Sequence, residues 1–135
     1  MSIKLPASAE NYLETILILQ RRNGMVRSID IVNELSFTKP SVSVAMKNLR
    51  EGGWIEMGPG GAITLTKEGF AVAEGIRERH EFFAAWLQQL GVTESVAEED
   101  ACELEHVLSE ESFRAIQREY GTKRRSRSSL PSHLL

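Results

Sequence analysis

The residues of this sequence best suited to chemistry are Cys102, Glu105 and His106. At i, i+3 and i+4 they share one face of a helix with about 3.6 residues per turn. Thiolate, carboxylate and imidazole are all transition-metal ligands, and three of them converging from one helix form part of a coordination shell. The spacing alone leaves other readings open. Cys102 could be a small buried hydrophobe beside a solvated Glu–His pair, or a nucleophile with His106 as its base. Nothing in the sequence resembles an oxyanion hole or a third orienting group, so an enzyme is not expected.

Two other segments carry donors of the same kind. Asn11 and Glu14 are three residues apart on the first predicted helix, and His80 follows Arg77-Glu-Arg79 on a longer one. Singly, an Asn or Glu on a helix surface is solvated and a His is hydrogen-bonded. Set beside Cys102, Glu105 and His106, they supply most of a metal site drawn from two parts of the chain.

Helices must hold these side chains in place. From Ala7 to Arg22, Tyr12, Leu13, Ile16, Leu17 and Leu19 recur at helical spacing before Asn23-Gly24. Ser28 is predicted to cap a short second helix containing Ile29, Ile31, Val32 and Leu35. Thr38 caps a third over about 39–51, with Pro40 in its first turn and Gly52-Gly53 after it. Trp54–Met57 and Ala62–Thr66 then flank Gly58-Pro-Gly-Gly61, the pattern of a hairpin. Three helices and a hairpin make a winged helix-turn-helix.

Thr66 can cap a long helix in which Phe70, Ala73, Ile76, His80, Phe83, Leu87 and Leu90 recur before Gly91. A further helix is expected at about 93–107 and another from Ser109. The broad apolar face of Phe82, Phe83, Trp86, Leu87 and Leu90 predicts burial in a symmetric homodimer. The expected fold is therefore mainly α: a winged helix-turn-helix with a small β-hairpin wing over 1–66, then an all-helical dimerisation and metal-binding domain over 67–120. A disordered tail is expected over 121–135.

Charge divides along the same lines. The net charge of −3 argues against constitutively tight DNA binding. Yet 38–50 holds Lys39, Lys47 and Arg50 with no acid, whereas 98–111 holds Glu98, Glu99, Asp100, Glu103, Glu105, Glu110 and Glu111 with no Lys or Arg. The first suits phosphate and the second suits cations. Around the third helix, Thr38, Lys39, Ser41 and Ser43 are expected to meet the phosphates and base edges of double-stranded DNA. Pro40 could touch thymine methyls, and Arg27 and Lys47 are further phosphate contacts. The wing tip has no basic residue, so only its backbone is expected to contribute.

Composition adds bounds. With 41% hydrophobic and 26% charged residues the chain is ordinary for a globular protein. No apolar run approaches the roughly 20 residues that span a bilayer, so no membrane partner is expected. One cysteine makes no internal disulfide, and the start lacks a secretory layout, which points to the cytoplasm.

Taken in chain order, Glu10-Asn-Tyr-Leu-Glu14, Thr38-Lys-Pro-Ser-Val-Ser43, Leu65-Thr-x-x-Gly69, Arg79-His80 and Cys102-x-Leu-Glu-His-x-Leu-Ser109 resemble the diphtheria toxin repressor family of metal-dependent regulators. The resemblance covers about 7–117. It implies a homodimer that binds operator DNA when loaded with iron(II) or manganese(II) and represses metal-uptake genes. The chain ends where longer members begin a small barrel, so it looks like the short, manganese-regulator type. The resemblance also supports Arg27, Thr38, Pro40, Ser41 and Ser43 as DNA contacts.

The implied ligands are a mosaic. Cys102, Glu105 and His106 match the iron branch, and Glu14 with His80 matches the manganese branch. Asn11 matches neither, standing where these branches have Met and Asp, and offers an amide oxygen. Ala84 and Glu98 replace a Glu and a His of the iron branch's ancillary site, which is expected to be absent or altered. Cys102, Glu105, His106 and Asn11 would hold one ion, with Glu14, His80 and Glu105 holding a second ion or a water. A soft thiolate favours iron(II), cobalt, zinc or nickel over manganese, so iron(II) is expected first and manganese(II) second. The alternative is a winged-helix regulator that senses a small molecule or an oxidant through Cys102.

Overall fold

The computed structural model describes residues 5–121. Apart from Gly121, the expected tail lies outside them. The helices are α1 (Ala7–Asn23), α2 (Ser28–Leu35), α3 (Lys39–Glu51), α4 (Lys67–Gln89), α5 (Glu94–Leu104) and α6 (Glu110–Ile116). Strands β1 (Ile55–Met57) and β2 (Ile63–Leu65) lie between α3 and α4. Among the described residues no helix is long and apolar enough to cross a membrane. Two compact units divide within α4, between Glu78 and Arg79.

In the N-terminal unit, Leu13, Ile16 and Leu17 of α1 project from one face at three- and four-residue spacing into a core with Ile31, Val42, Met46, Ile55, Ile63 and Ala73. Gly24 stops α1: it takes a φ of +85° and donates its N–H to Gln20 O at 2.8 Å. Ser28, expected as the cap of α2, is instead its first helical residue, and Arg27 is the cap. The reason is Asp30, whose carboxylate reaches back to accept the Arg27 N–H at 2.8 Å. Thr38 caps α3 as expected, its Oγ1 accepting the Ser41 N–H at 3.3 Å.

The wing is an antiparallel pair in the register Ile55↔Leu65, Glu56↔Thr64 and Met57↔Ile63. Alternation buries Ile55 and Ile63 and exposes Glu56 and Thr64. The tip turns through Gly60 and Gly61, at φ +71° and +78°, where a side chain would be strained. The Ile63 N–H donates to Val26 O at 2.8 Å, joining the hairpin to the segment before α2.

The start of α4 rests on the end of α3. Thr66 Oγ1 accepts the Gly69 N–H at 3.1 Å and donates to Gly53 O at 2.7 Å. A Cβ on Gly69 would stand 2.0 Å from Trp54 O, so only glycine lets the first turn of α4 approach so closely.

In the C-terminal unit, Phe82, Phe83 and Ala84 of α4, Ala101 of α5 and Phe113 of α6 form the core. Phe82 and Phe113 meet edge to face with centroids 5.7 Å apart, and the Arg79 guanidinium lies 5.0 Å over the Phe113 ring. This corrects part of the expected dimer face. Phe82 and Phe83 are covered within their own chain by α5 and α6, while Leu90 stays 60% exposed. The helix expected over 93–107 also stops earlier, at Leu104.

Candidate metal centre

The end of α5 decides how its donors are aimed. Glu105 keeps helical dihedrals, and its N–H still bonds four residues back, to Ala101 O at 3.0 Å. The next two amides bond three residues back, His106 to Glu103 O at 3.4 Å and Val107 to Leu104 O at 3.2 Å. The helix thus tightens just after Glu105. Cys102 and Glu105 remain in phase, and His106 follows in the tighter turn.

His80, from α4, brings a third donor to the candidate centre. Its Nδ1 lies 2.8 Å from Glu105 Oε1 and 3.9 Å from Cys102 Sγ. His80, Cys102 and Glu105 each offer one donor atom within 4.8 Å of the others. His106 is adjacent but outside that trio, its Nε2 lying 3.3 Å from Glu105 Oε2. Glu105 is 1% exposed, a carboxylate flanked by two imidazoles. Such burial is costly for a carboxylate unless positive charge or donors face it. Nitrogen, sulfur and oxygen donors around one point suit a divalent transition ion of borderline softness, so the residues fit a metal.

Other site residues fall elsewhere. Asn11 is exposed on α1. Glu14 is buried on α1, with Oε2 3.3 Å from Arg77 Nη1. Ala84 is packed in the aromatic core and brings no donor. The sequence marks Glu98 only as a replacement in another site, yet its Oε2 lies 2.5 Å from His80 Nε2. The sequence carries the signal for it: Glu98, Cys102 and Glu105 stand at i, i+4 and i+7, one stripe that runs along α5 to its C-cap.

The DNA-facing candidates lie in the N-terminal unit. On α3, Val42, Met46 and Leu49 turn to the core, leaving Lys39, Pro40, Ser41, Ser43 and Lys47 exposed. Val44 joins that face at 60% exposure and adds an apolar group among the polar ones. Thr38 is committed to its cap, its hydroxyl also donating to Ser41 Oγ at 2.9 Å. Arg27 Nε donates to Gly60 O at 3.0 Å. A concave surface between α3 and the wing is lined by Ser28, Ser43, Val44, Lys47, Arg50 and Met57.

Comparison with known proteins agrees with this division of labour. Residues 4–63 match the family model "Iron dependent repressor, N-terminal DNA binding domain". Residues 66–131 match "Iron dependent repressor, metal binding and dimerisation domain". The transcriptional regulator MntR of Escherichia coli O157:H7 is 37% identical over 117 residues, which cover 84% of this chain and 76% of MntR. Among solved structures, the manganese regulator SloR superposes with a TM-score of 0.74 at 24% identity, over 90% of this chain and 55% of SloR. A manganese-dependent transcriptional repressor in complex with manganese gives 0.73 at 24% identity, over 84% of this chain and 52% of its own. The chain thus spans about half the length of these two solved regulators, and at that identity they speak to the fold. With both family domains matched in order along its length, the chain belongs to the iron-dependent repressor family of metal-dependent transcriptional regulators.

Proposed function

We propose that this chain is a homodimeric repressor of metal-uptake genes that binds double-stranded operator DNA when a divalent transition metal is held by His80, Cys102 and Glu105. His106, Asn11 and Glu14 are proposed as further ligands, following the family resemblance. The observation that carries the reading is the convergence of His80, Cys102 and Glu105 donors within 4.8 Å, inside the domain matched to metal binding and dimerisation.

Iron(II) is proposed first because Cys102 contributes a thiolate, which suits it better than manganese(II). Manganese(II) stands second, supported by the MntR relatives and the manganese-bound fold neighbour. A bound cation supplies positive charge among the carboxylates of 98–111 and a fixed geometry for its ligands. Glu105 provides the buried anionic donor, Cys102 the soft donor, and His80 the neutral nitrogen. Exposed Lys39, Ser41, Ser43 and Lys47 are proposed to meet phosphates and base edges, with Pro40 on thymine methyls and Thr38 holding the helix start. Metal raises operator affinity in this reading by narrowing the arrangements the two α3 helices of a dimer sample.

The test is promoter binding measured anaerobically in chelator, then with iron(II), manganese(II) and zinc(II), alongside metal counted per protomer. Binding should require metal and be strongest with iron(II). A metal content near zero after anaerobic iron loading, or an unchanged metal dependence in Glu105→Ala, overturns the proposal. A second reading, oxidant sensing through Cys102, draws on the exposure of that thiol and its 3.9 Å approach to His80 Nδ1. It predicts that DNA binding in chelator follows oxidation of Cys102.

A further inference from the structure

We propose that Glu98 is the positioning residue that presents His80 to the metal, an inference that rests on the metal-centre reading above. The His80 side chain is 13% exposed and lies between two carboxylates. Its Nε2 meets Glu98 Oε2 at 2.5 Å, while its Nδ1 faces Glu105 Oε1 at 2.8 Å and Cys102 Sγ at 3.9 Å. A neutral imidazole has one N–H and one lone-pair nitrogen, and an ionised carboxylate only accepts. Glu98 and Glu105 each face one ring nitrogen, so a neutral His80 can donate to only one of them; a cation held by Glu105 and Cys102 would take the Nδ1 lone pair and leave the N–H on Nε2 for Glu98. Nδ1 is also the nitrogen that faces the other two donors.

With a cation on the Nδ1 side, Glu98 would fix both the tautomer and the ring orientation of His80. A carboxylate on the far nitrogen also raises the basicity of the ligating one. Glu98 Oε2 approaches the opposite edge of the ring from Cys102 and Glu105, which distinguishes a supporting group from a ligand. Its place on α5 makes the geometry economical: one helix stripe carries the support, Glu98, and one turn later the ligand Cys102. The Glu98 side chain is half exposed, so its substitution leaves the aromatic core of this unit untouched.

The experiment uses the full chain with zinc(II) and cobalt(II) as probes. Affinity comes from chelator competition, the His80 tautomer from nitrogen NMR of the zinc-loaded protein, and the ligand set from the cobalt spectrum. In the wild type His80 should carry its proton on Nε2. Glu98→Ala should lose about 10–100-fold in zinc affinity yet show the unaltered cobalt spectrum at saturating metal. Glu98→Gln, whose amide oxygen still accepts the Nε2 proton, should recover most of the loss. An Nδ1-protonated His80, or full zinc affinity in Glu98→Ala, overturns the assignment while leaving the metal centre standing. So does a Glu98→Gln as weak as Glu98→Ala with a changed cobalt spectrum, which would make Glu98 a ligand. Failure of the wild type to bind either ion would instead sink the metal reading, and this one with it.

Discussion

Arg27 Nε donates a 3.0 Å hydrogen bond to the carbonyl of Gly60, tying the cap of α2 to the tip of the wing. The neighbouring Ile63 N–H to Val26 O bond strengthens the same seam. Arg27 thus holds the wing, and we propose that it also offers its remaining N–H groups to phosphate. The two roles separate by substitution. Arg27→Lys keeps the charge but lacks the planar fork, whereas Arg27→Ala loses both. Both variants should speed hydrogen exchange at the Gly58 and Gly61 amides. Only Arg27→Ala should also lower the salt slope of DNA binding by about one. Unchanged exchange at the wing tip in both would remove the structural role.

The close approach of Gly69 to Trp54 makes a paired prediction. A Cβ at Gly69 would stand 2.0 Å from a backbone carbonyl that cannot rotate away, so Gly69→Ala must shift the start of α4. We expect a loss of about 1–3 kcal/mol, the range for overpacking. Gly75 lies later in α4 with nothing within 4 Å of its Cβ position. There the same change should stabilise by about 0.5–1 kcal/mol, because alanine is the better helix former. Denaturant melts of the two variants check the pair, and equal effects would contradict the close approach of Gly69 to Trp54.

Thr38 illustrates how a DNA-contact candidate can also be a structural residue. Its Oγ1 accepts the Ser41 N–H at 3.3 Å at the cap of α3. Thr38→Ala should cost about 1 kcal/mol of stability. Thr38→Asp should retain the cap and the stability, since aspartate is a good N-cap residue. It should nonetheless bind DNA more weakly than the wild type by bringing an anion to the phosphates. Thermal melts and operator titrations on the same two variants separate the roles. Equal DNA affinity in Thr38→Asp and wild type would show that the helix start does not face the backbone.

What was legible in the sequence follows from periodicity and caps. The α3 boundaries could be read because Thr38, Pro40 and Gly52 punctuate an unbroken pattern, and Thr66 marked the start of α4 equally well. The first residue of α2 was displaced because an Asp three residues on from Arg27 competed with Ser28, a choice that geometry decides. Covering of Phe82 and Phe83 by Phe113 was hidden because it joins α4 to α6 across 30 residues of chain, and no local pattern reports that contact. The metal candidates divide similarly. Cys102 and Glu105 were visible from spacing on one helix, whereas the pairing of His80 with Glu98 depends on how α4 packs against α5.

In the proposed site Cys102 is the softest donor, and its replacement should move metal choice in a known direction. Exchanging sulfur for a carboxylate oxygen in Cys102→Asp converts a mixed soft and hard set into a hard one. Zinc(II), cobalt(II) and iron(II) should weaken more than manganese(II), because thiolate ligation favours the softer ions. We expect the zinc-to-manganese affinity ratio, from competition titrations, to fall by about tenfold or more, equivalent to roughly 1.4 kcal/mol. The thiolate-to-cobalt absorption should vanish in the same variant. In promoter binding, the preference for iron(II) over manganese(II) should shrink or reverse. If the affinity ratio and the cobalt spectrum match the wild type, Cys102 lies outside the coordination shell, and His80 and Glu105 must complete it with a different partner.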